Sequence, residues 1–367
     1  MAKIVYGLSG EGSGHSSRSR EMISHLTSQG HQVKVASYDR GYRNLKDDYE
    51  VMEIEGFSIV SKDNKVSITK TFTQNFSTIF DRYESINILK KKYFKDFQPD
   101  AVITDFEPMT AYLANELDVP LITIDNQHRL RYMDFPCPLE WKADAIFIEN
   151  LVRAMIPRPC VSLITTFYFG KKRNDRTFLF PPILRKKVLD LKASANDYIL
   201  VYVTAGFETL IDHLRKYNRE KFYVYGYNKD IKEGNLVFRP FSKSVFLNDL
   251  AGCKGVIATA GFTLMTESFF LKKPYLALPM KGQFEQVLNG LMLNELNYGR
   301  TTFDLKKEDI SAFLYDIPEF TENLQNYKQK DNSAIREMLD LLLANDQKLL
   351  RRYHDKRRTI FNMEEKK

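Results

Sequence analysis

Short apolar segments alternate with amphipathic segments from the beginning of the sequence. Lys3–Leu8 is short and mostly apolar, which predicts a buried strand, and a loop of small residues follows it. Residues 16–29 carry apolar side chains at helical spacing, and Gln32–Ser37 returns to a strand pattern. This order predicts a strand, a loop, a helix and a second strand.

The alternation continues to about residue 124. A strand pattern lies at 51–54, a long helical pattern at 70–97, a strand at 101–104, a helix at 107–117 and a strand at 121–124. Strands that alternate with helices form parallel sheets covered on both faces, with ligands at the carboxyl ends of the strands. We therefore expect a first Rossmann-like domain at 1–170.

A charged, proline-containing stretch separates this pattern from a second one. Residues 171–176 are too charged for a core, and Pro181 and Pro182 interrupt regular structure, so we predict a linker at 171–196. From 197 to 332 strands and helices alternate again, which predicts a second Rossmann-like domain. Residues 333–367 are typical of a long helix followed by a basic tail.

Composition supports two domains. The chain has 367 residues, of which 43% are hydrophobic and 13% aromatic, enough for two buried cores. No segment approaches the roughly 20 apolar residues of a membrane span, and we expect no signal segment. Cys137, Cys160 and Cys253 lack metal-ligand spacing and are odd in number, which favours a reduced, cytoplasmic setting.

The formal net charge of +7 favours anionic partners. Two basic runs, Lys90–Lys95 and 348–358, are interleaved with apolar residues. They are compatible with solvated helix faces or with contact at the inner face of an anionic membrane, and both interpretations remain open. We expect no nucleic-acid partner.

The most informative pattern lies at 255–290. A strand, a small-residue turn that opens a helix, a second strand and a polar turn that opens another helix follow one another. The turn residues are Ala260, Gly261, Phe262 and Thr263, then Glu285, Gln286 and Asn289. Helix N-termini favour anions, so this layout predicts a site that holds a nucleotide diphosphate without a metal.

The pattern resembles the donor-binding signature of GT-B glycosyltransferases, in the branch of the UDP-glycosyltransferases and the undecaprenyl-muropeptide N-acetylglucosamine transferase. The resemblance implies an α/β protein of two Rossmann-like domains whose parallel sheets face each other across a cleft, with the last helix packed on the first domain. It implies that the turn at Gly261 wraps the diphosphate and that Glu267 binds the ribose hydroxyls. Glu285, Gln286 and Asn289 would grip the donor sugar. The alternative for Glu267 is an exposed helical side chain.

Position after a predicted strand indicates one further donor segment, whose amides should lie near the phosphates, and the resemblance implies another. Thr204, Gly206 and Phe207 end the first strand of the second domain and open a helix. Phe238, Arg239 and Phe241 occupy the segment that holds the nucleobase in related enzymes. Phe238 stands where those enzymes often have a Trp, and it would keep a stacking surface unless it is a core aromatic.

The loop after the first strand carries the candidate base. Gly10, Gly12 and Gly14 alternate, so the loop does not match the Rossmann dinucleotide fingerprint. In the resembling family this loop contains a Gly-His pair whose His is in many members the general base, which implies that role for His15. The amides of Ser13 and Gly14 are candidates for contact with the departing diphosphate.

An imidazole can take a proton from a hydroxyl group at neutral pH, and a carboxylate on its other ring nitrogen would orient it. The resemblance places Asp105 in that position, at the end of the strand 101–104. The alternatives are that His15 only bonds its loop and that Asp105 caps the helix at Glu107. His128 and Glu11 are rival bases or acceptor contacts.

These residues imply an inverting, metal-independent glycosyltransferase without a cofactor. The expected partners are a nucleotide sugar, with a UDP-sugar as the expected donor, and a hydroxyl group of a glycan, lipid-linked glycan or glycolipid. Two alternatives remain open at this point: a non-hydrolysing UDP-sugar 2-epimerase of the same fold, and a non-catalytic sugar-nucleotide-binding subunit.

Overall fold

The computed structural model describes residues 1–56, 61–62, 65–66, 79–203 and 206–364. They form two compact units, described separately here. The described parts of Met1–Val60, Ser67–Arg185 and Asp331–Lys367 form the first unit, and those of Ser61–Val66 and Lys186–Lys330 form the second.

The first unit contains a seven-stranded sheet in the order β3-β2-β1-β6-β7-β8-β9. All of its strand pairs are parallel. Its strands are β1 (Lys3–Leu8), β2 (Gln32–Ser37), β3 (Val51–Glu53), β6 (Ala101–Asp105), β7 (Leu121–Asp125), β8 (Val161–Thr165) and β9 (Thr177–Phe180). The two short antiparallel strands β4 (Ser61–Lys62) and β5 (Lys65–Val66), which belong to the second unit, pair with each other.

Helices cover this sheet. They are α1 (Gly14–Ser28), α2 (Asp39–Leu45), α3 (Ile79–Leu89) with a π-helical extension (Lys90–Lys95), α4 (Pro108–Glu116), α5 (Arg129–Tyr132), a 3-10 turn (Leu139–Trp141) and α6 (Lys142–Met155). The part of the predicted helix at 70–78 lies outside the described residues.

Alternation along β1 shows why the sheet is buried on both faces. Ile4 and Tyr6 pack with the apolar side of α1, whereas Val5 packs with residues of α4 on the other face. Apolar side chains at successive positions of a strand are therefore buried on opposite sides, as is usual for parallel sheets.

The second unit contains a seven-stranded sheet in the order β12-β13-β11-β10-β14-β15-β16. Its strands are β10 (Ile199–Tyr202), β11 (Phe222–Tyr225), β12 (Ile231–Glu233), β13 (Leu236–Phe238), β14 (Gly255–Ala258), β15 (Tyr275–Ala277) and β16 (Gly299–Thr301). Only the edge strand β12 is antiparallel to its neighbour in this sheet. Its helices are α7 (Lys186–Leu189), α8 (Glu208–Leu214), α9 (Lys243–Gly252), α10 (Phe262–Phe270), α11 (Phe284–Glu295) and α12 (Lys307–Asn323). The prediction of two α/β domains with parallel sheets is confirmed.

The final helix, α13 (Ser333–Glu364), belongs to the first unit. Its backbone leaves the helical conformation at 344–347, where Asn345, Asp346 and Gln347 have φ angles of 49°, 52° and 57°. Leu339 before this break and Leu350 after it are both fully buried in the core around β1. The break therefore lets both parts of α13 pack on one unit.

The structure differs from the expected linker. Part of 171–196 is β9, which pairs with β8 as an edge strand, and the chain passes to the second unit only after Arg185. The strand was missed because its four residues stand between a charged stretch and two prolines. Across the described residues, none of the helices is both long enough and apolar enough for a bilayer span.

Candidate active site

The carboxyl ends of β1 and β6 bring the two predicted catalytic residues together. Leu8 and Asp105 are register partners in the parallel pair, and α1 begins shortly after the loop that follows β1. Consequently His15 Nδ1 lies 2.7 Å from Asp105 Oδ1. The His15 side chain is 11% exposed and that of Asp105 is 0% exposed, so the pair borders solvent only through the imidazole.

Arg18 completes this cluster, and the sequence analysis missed it. Its Nε donates to Asp105 Oδ2 at 2.7 Å and its Nη2 to Asp105 Oδ1 at 2.5 Å. Its Nη1 donates to Asn126 Oδ1 at 2.8 Å, and Ser19 Oγ donates to Asp105 Oδ2 at 3.0 Å. The available signal was the spacing of His15 and Arg18, because residues three apart lie on the same side of a helix.

These contacts fix the charge of Asp105. Burial on its own raises the pKa of this carboxyl, but Arg18 and His15 outweigh burial and hold the pKa at about 2. Asp105 is therefore ionised at neutral pH and acts only as a hydrogen-bond acceptor.

The helix cap expected as an alternative role for Asp105 is supplied by another residue. The side chain of Glu107 accepts hydrogen bonds from the backbone N–H groups of Met109 and Thr110, both at 2.7 Å, at the start of α4. Glu107 is buried, and burial raises its pKa. The Asp105 carboxylate instead bonds His15, Arg18 and Ser19.

His128 does not have the exposure that an acceptor contact requires. Its ring is fully buried, with Nδ1 2.7 Å from Asp125 Oδ2, and it stacks on Tyr132 with ring centroids 5.7 Å apart. The prediction of acceptor binding by His128 is therefore wrong for this conformation, because the turn after β7 folds the ring inward. The other acceptor candidate, Glu11, is exposed in the glycine loop, and its N–H bonds Ser9 Oγ at 3.2 Å.

The loop before α1 also contains the two predicted diphosphate contacts. Ser13 is exposed and directly precedes α1, where its carbonyl accepts a bond from the N–H of Ser17 at 3.1 Å. Gly14, the first residue of the helix, is half-buried. The amides of this helix start lie beside the His15 cluster, and their contact with the diphosphate stays a prediction.

In the second unit, the turn at Gly261 precedes α10. Its φ and ψ angles are −71° and 128°, which any residue adopts, and a Cβ atom added there would meet no atom within 4 Å. Neither backbone conformation nor packing within the unit therefore requires glycine. Ala260 is buried, Phe262 is 8% exposed and Thr263 is half-buried.

Two predicted sugar contacts have structural roles here. Asn289 is fully buried and donates from Nδ2 to the carbonyl of Ala260 at 2.8 Å, so it supports the turn rather than presenting its amide to a ligand. Gln286 accepts from the N–H of Met280 at 3.1 Å and donates to Gln283 at 2.6 Å, which shapes the polar turn. The prediction of a direct sugar contact is wrong for Asn289 because α11 turns its side chain toward the preceding loop.

The two predicted acidic contacts differ in burial. Glu285 is half-buried in the first turn of α11. Glu267 is 2% exposed on α10, so the alternative of an exposed helical side chain is wrong. Burial of a carboxylate is costly unless it is paired or bonded, and Glu267 has such an interaction within the protein.

The nucleobase segment also needs correction. Phe238 is 3% exposed and packs edge-on against Tyr227, with ring centroids 5.8 Å apart, so it offers no stacking surface. Strand alternation points Phe238 into the core with Leu236. Phe241, by contrast, is 53% exposed, and its ring centroid lies 6.3 Å from that of Tyr202 at the end of β10.

Arg239 is engaged within the unit. Its Nη1 lies 2.5 Å from Asp249, and its guanidinium carbon lies 3.9 Å from the ring centroid of Tyr223.

The loop after β10 contains the other predicted donor segment. Gly206 has a φ of 101° and its N–H bonds Glu208 at 3.1 Å, and half-buried Phe207 precedes α8. Thr204 lies outside the described residues.

A family model described as glycosyl transferase family 1 matches residues 2–318. The chain belongs to this family. It is a glycosyltransferase of the GT-B type.

The glycosyltransferase is similar to an uncharacterized glycosyltransferase of Methanosarcina mazei, with 24% identity over 330 residues that cover 81% of this chain and 85% of the relative. An uncharacterized glycosyltransferase of Methanosarcina acetivorans is 22% identical over 371 residues, covering 92% and 93% of the two chains.

Solved structures show the same fold. The glycotransferase of kitacinnamycin superposes with a TM-score of 0.67 at 14% identity, covering 92% of this chain and 98% of that one. MurG of Acinetobacter baumannii superposes with a TM-score of 0.60 at 14% identity, covering 93% and 99%. These likenesses confirm the GT-B resemblance drawn from the donor motif.

Proposed function

We propose that this glycosyltransferase is inverting and metal-independent, and that it moves a sugar from a UDP-sugar to a hydroxyl group of a glycan, lipid-linked glycan or glycolipid. The observation that carries the proposal is the buried contact of 2.7 Å between His15 Nδ1 and Asp105 Oδ1. A carboxylate on one ring nitrogen leaves the other, Nε2, to take a proton.

In the proposed reaction, His15 Nε2 accepts the proton of the acceptor hydroxyl as its oxygen attacks the anomeric carbon. The new C–O bond forms while the bond from that carbon to the diphosphate breaks, and the nucleoside diphosphate leaves with the electron pair. One displacement inverts the configuration. Asp105, ionised because of its low pKa, stabilises the imidazolium that results.

The donor would be held by the second unit without a cofactor or metal. The first amide groups of α10 follow Gly261, where an added Cβ atom would meet no atom within 4 Å, and they would stabilise the charge that develops on the diphosphate. The amides of Ser13 and Gly14 would add to this stabilisation. Glu267 would bind the ribose hydroxyls, and exposed Phe241, rather than Phe238, would stack on the base.

One apolar surface supports a lipid-linked acceptor. Leu139, Ile146 and Phe147 are 81%, 62% and 42% exposed, and their spacing of seven and eight places them on one side of α6 and the turn before it. In the basic run Lys90–Lys95, Lys91 and Lys92 are exposed and could contact anionic lipid. We propose a cytoplasmic protein that works at the inner face of a membrane.

The variant His15→Ala tests the proposal. We expect transfer to fall by at least about a hundredfold, because the base is lost, while UDP-sugar affinity changes less than about twofold. A thermal-shift screen of nucleotide sugars identifies the donor, since a ligand of the folded state raises the unfolding temperature. Release of nucleotide is then measured with a panel of glycan and lipid-linked acceptors.

His31→Ala is the matched control, since His31 precedes β2 at the opposite end of the sheet and bonds the N–H of Ala2 at 3.0 Å. Turnover by His15→Ala equal to that of the control would refute the role of His15. A wild-type protein that binds donor but never releases nucleotide would instead indicate a non-catalytic subunit.

A further inference from the structure

Arg18 contacts both members of the proposed catalytic pair, Asp105 and His15. We infer that Arg18 is a positioning residue that cancels the charge of Asp105 and so keeps His15 neutral, with its hydrogen on Nδ1 and its lone pair on Nε2. This inference rests on the proposed role of His15 as the base.

Three atoms form a close triangle. His15 Nδ1 lies 2.7 Å from Asp105 Oδ1 and 2.8 Å from Arg18 Nη2, and the last two lie 2.5 Å apart. Arg18 can only donate and the ionised carboxylate can only accept. A lone pair on Nδ1 would face the carboxylate oxygen at 2.7 Å, whereas a hydrogen on Nδ1 faces the Arg18 donor at 2.8 Å. Since Arg18 Nη2 already donates to Asp105 Oδ1 at the shorter distance of 2.5 Å, the hydrogen is favoured on Nδ1, donated to Asp105.

The charges determine what happens when His15 takes a proton. Beside a lone carboxylate, an imidazolium completes a neutral pair and is strongly favoured. Here the permanent charge of Arg18 already neutralises Asp105, so protonation of His15 leaves the cluster with a net positive charge. Arg18 therefore weakens the tendency of the ring to hold a proton and keeps the base available at lower pH.

The surroundings of Arg18 hold it in this position. Its guanidinium reaches Asn126 Oδ1 at 2.8 Å and Gln127 Oε1 at 3.5 Å, in the turn after β7, and both partners are uncharged. In the described part of the chain, the charged groups that contact His15 are Asp105 from β6 and Arg18 from its own helix.

Two other titratable groups lie near the cluster. Burial raises the pKa of the Tyr6 phenol far above neutrality, so it does not titrate in the working range. The carboxylate of Asp125 is bonded to His128. The balance of charge around His15 therefore depends on Asp105 and Arg18.

The test compares Arg18→Met, which removes the charge, with Arg18→Lys, which keeps it. Histidines labelled with ¹³C and ¹⁵N are titrated by NMR, and the His15 signal among the six histidines is assigned by its loss in His15→Ala. We expect the titration midpoint of His15 to rise by at least about one pH unit in Arg18→Met and to stay near that of the wild type in Arg18→Lys. The ¹⁵N shifts should show the Nδ1–H tautomer in the wild type.

A purely structural Arg18 would lower stability in Arg18→Met and leave the midpoint unchanged, and that result would overturn the inference. If Arg18→Met does not fold, Asn126→Asp places a carboxylate against Arg18 Nη1, and the same upward shift is expected there. The acidic limb of the pH profile of kcat/KM should move with the NMR midpoint.

The two proposals can fail separately. Wild-type transfer activity in His15→Ala would show that His15 is not the base. The His15 midpoint in Arg18→Met would still test whether the charge of Arg18 acts on His15. An unmoved His15 midpoint in Arg18→Met, together with loss of transfer in His15→Ala, would remove only the role of Arg18.

Discussion

The substitution Asp105→Asn removes a buried charge while keeping the shape of the side chain. The side chain of Asp105 is 0% exposed and that of Arg18 is 7% exposed, so the guanidinium would lose its compensating charge inside the first unit. Leaving one member of a buried ion pair without its partner typically costs about 3–5 kcal/mol.

Asp125→Asn is the matched control. Asp125 also ends a central strand, is buried and lies 2.7 Å from a histidine Nδ1, but in the described residues no arginine contacts it. Its replacement should weaken hydrogen bonds at a cost of about 1–3 kcal/mol without exposing a permanent charge. The difference between the two variants isolates the effect of Arg18.

The single tryptophan provides the assay. Trp141 lies in the first unit, next to α6, so its fluorescence during urea unfolding reports this unit. With a denaturant dependence of about 2–3 kcal/mol per molar urea, Asp105→Asn should lower the midpoint by about 1–2 M. An Asp105→Asn midpoint no lower than that of Asp125→Asn would refute the reasoning.

The difference in unfolding free energy between the wild type and Asp105→Asn should also depend on pH. The folded-state pKa of Asp105 is about 2, below the ordinary value of 3.8, so its stabilisation is complete above pH 4 and is lost as the pH falls toward 2. This difference corresponds to roughly 2–3 kcal/mol of unfolding free energy. The gap between the two urea midpoints should therefore narrow in this acidic range.

Two further predictions concern the second unit. Gly261→Ala should fold with unchanged or slightly higher stability, because the added methyl meets no protein atom, yet calorimetry should show UDP-sugar affinity reduced at least about tenfold. Equal affinity would show that the diphosphate does not approach this turn. Phe238→Ala should lose about 3–5 kcal/mol of stability as a core truncation, whereas Phe241→Ala should keep stability and bind UDP about tenfold more weakly. The reverse pattern would restore Phe238 as the stacking residue.

Regular patterning allowed much of the fold to be predicted. The limits of β1, β2 and β14 follow from short apolar segments between loop residues. β9 was not predicted because it has only four residues and is defined by its pairing with β8. The periodicity of the sequence does not show that pairing. β12 has the same difficulty, since two of its three residues are charged.

The site was predictable where it depends on the ends of strands, and not where it depends on packing. The pairing of His15 with Asp105 follows from two parallel strands that end at one edge. Arg18 was missed because an arginine on an amphipathic helix is usually solvated, and its burial here depends on partners 87 and 108 residues away in the chain. The inward orientation of Phe238 follows from its alternation with Leu236, which the family resemblance obscured.

The packing of α13 has a consequence for biosynthesis. Leu339 and Leu350 complete the core around β1, although the whole second unit is translated between them and the residues they contact. All residues of the second unit therefore leave the ribosome before α13, whereas the core around β1 stays incomplete until α13 has been translated. Premature termination before α13 would leave the apolar core residues around β1 exposed in the first unit. Such a product would bind chaperones or aggregate.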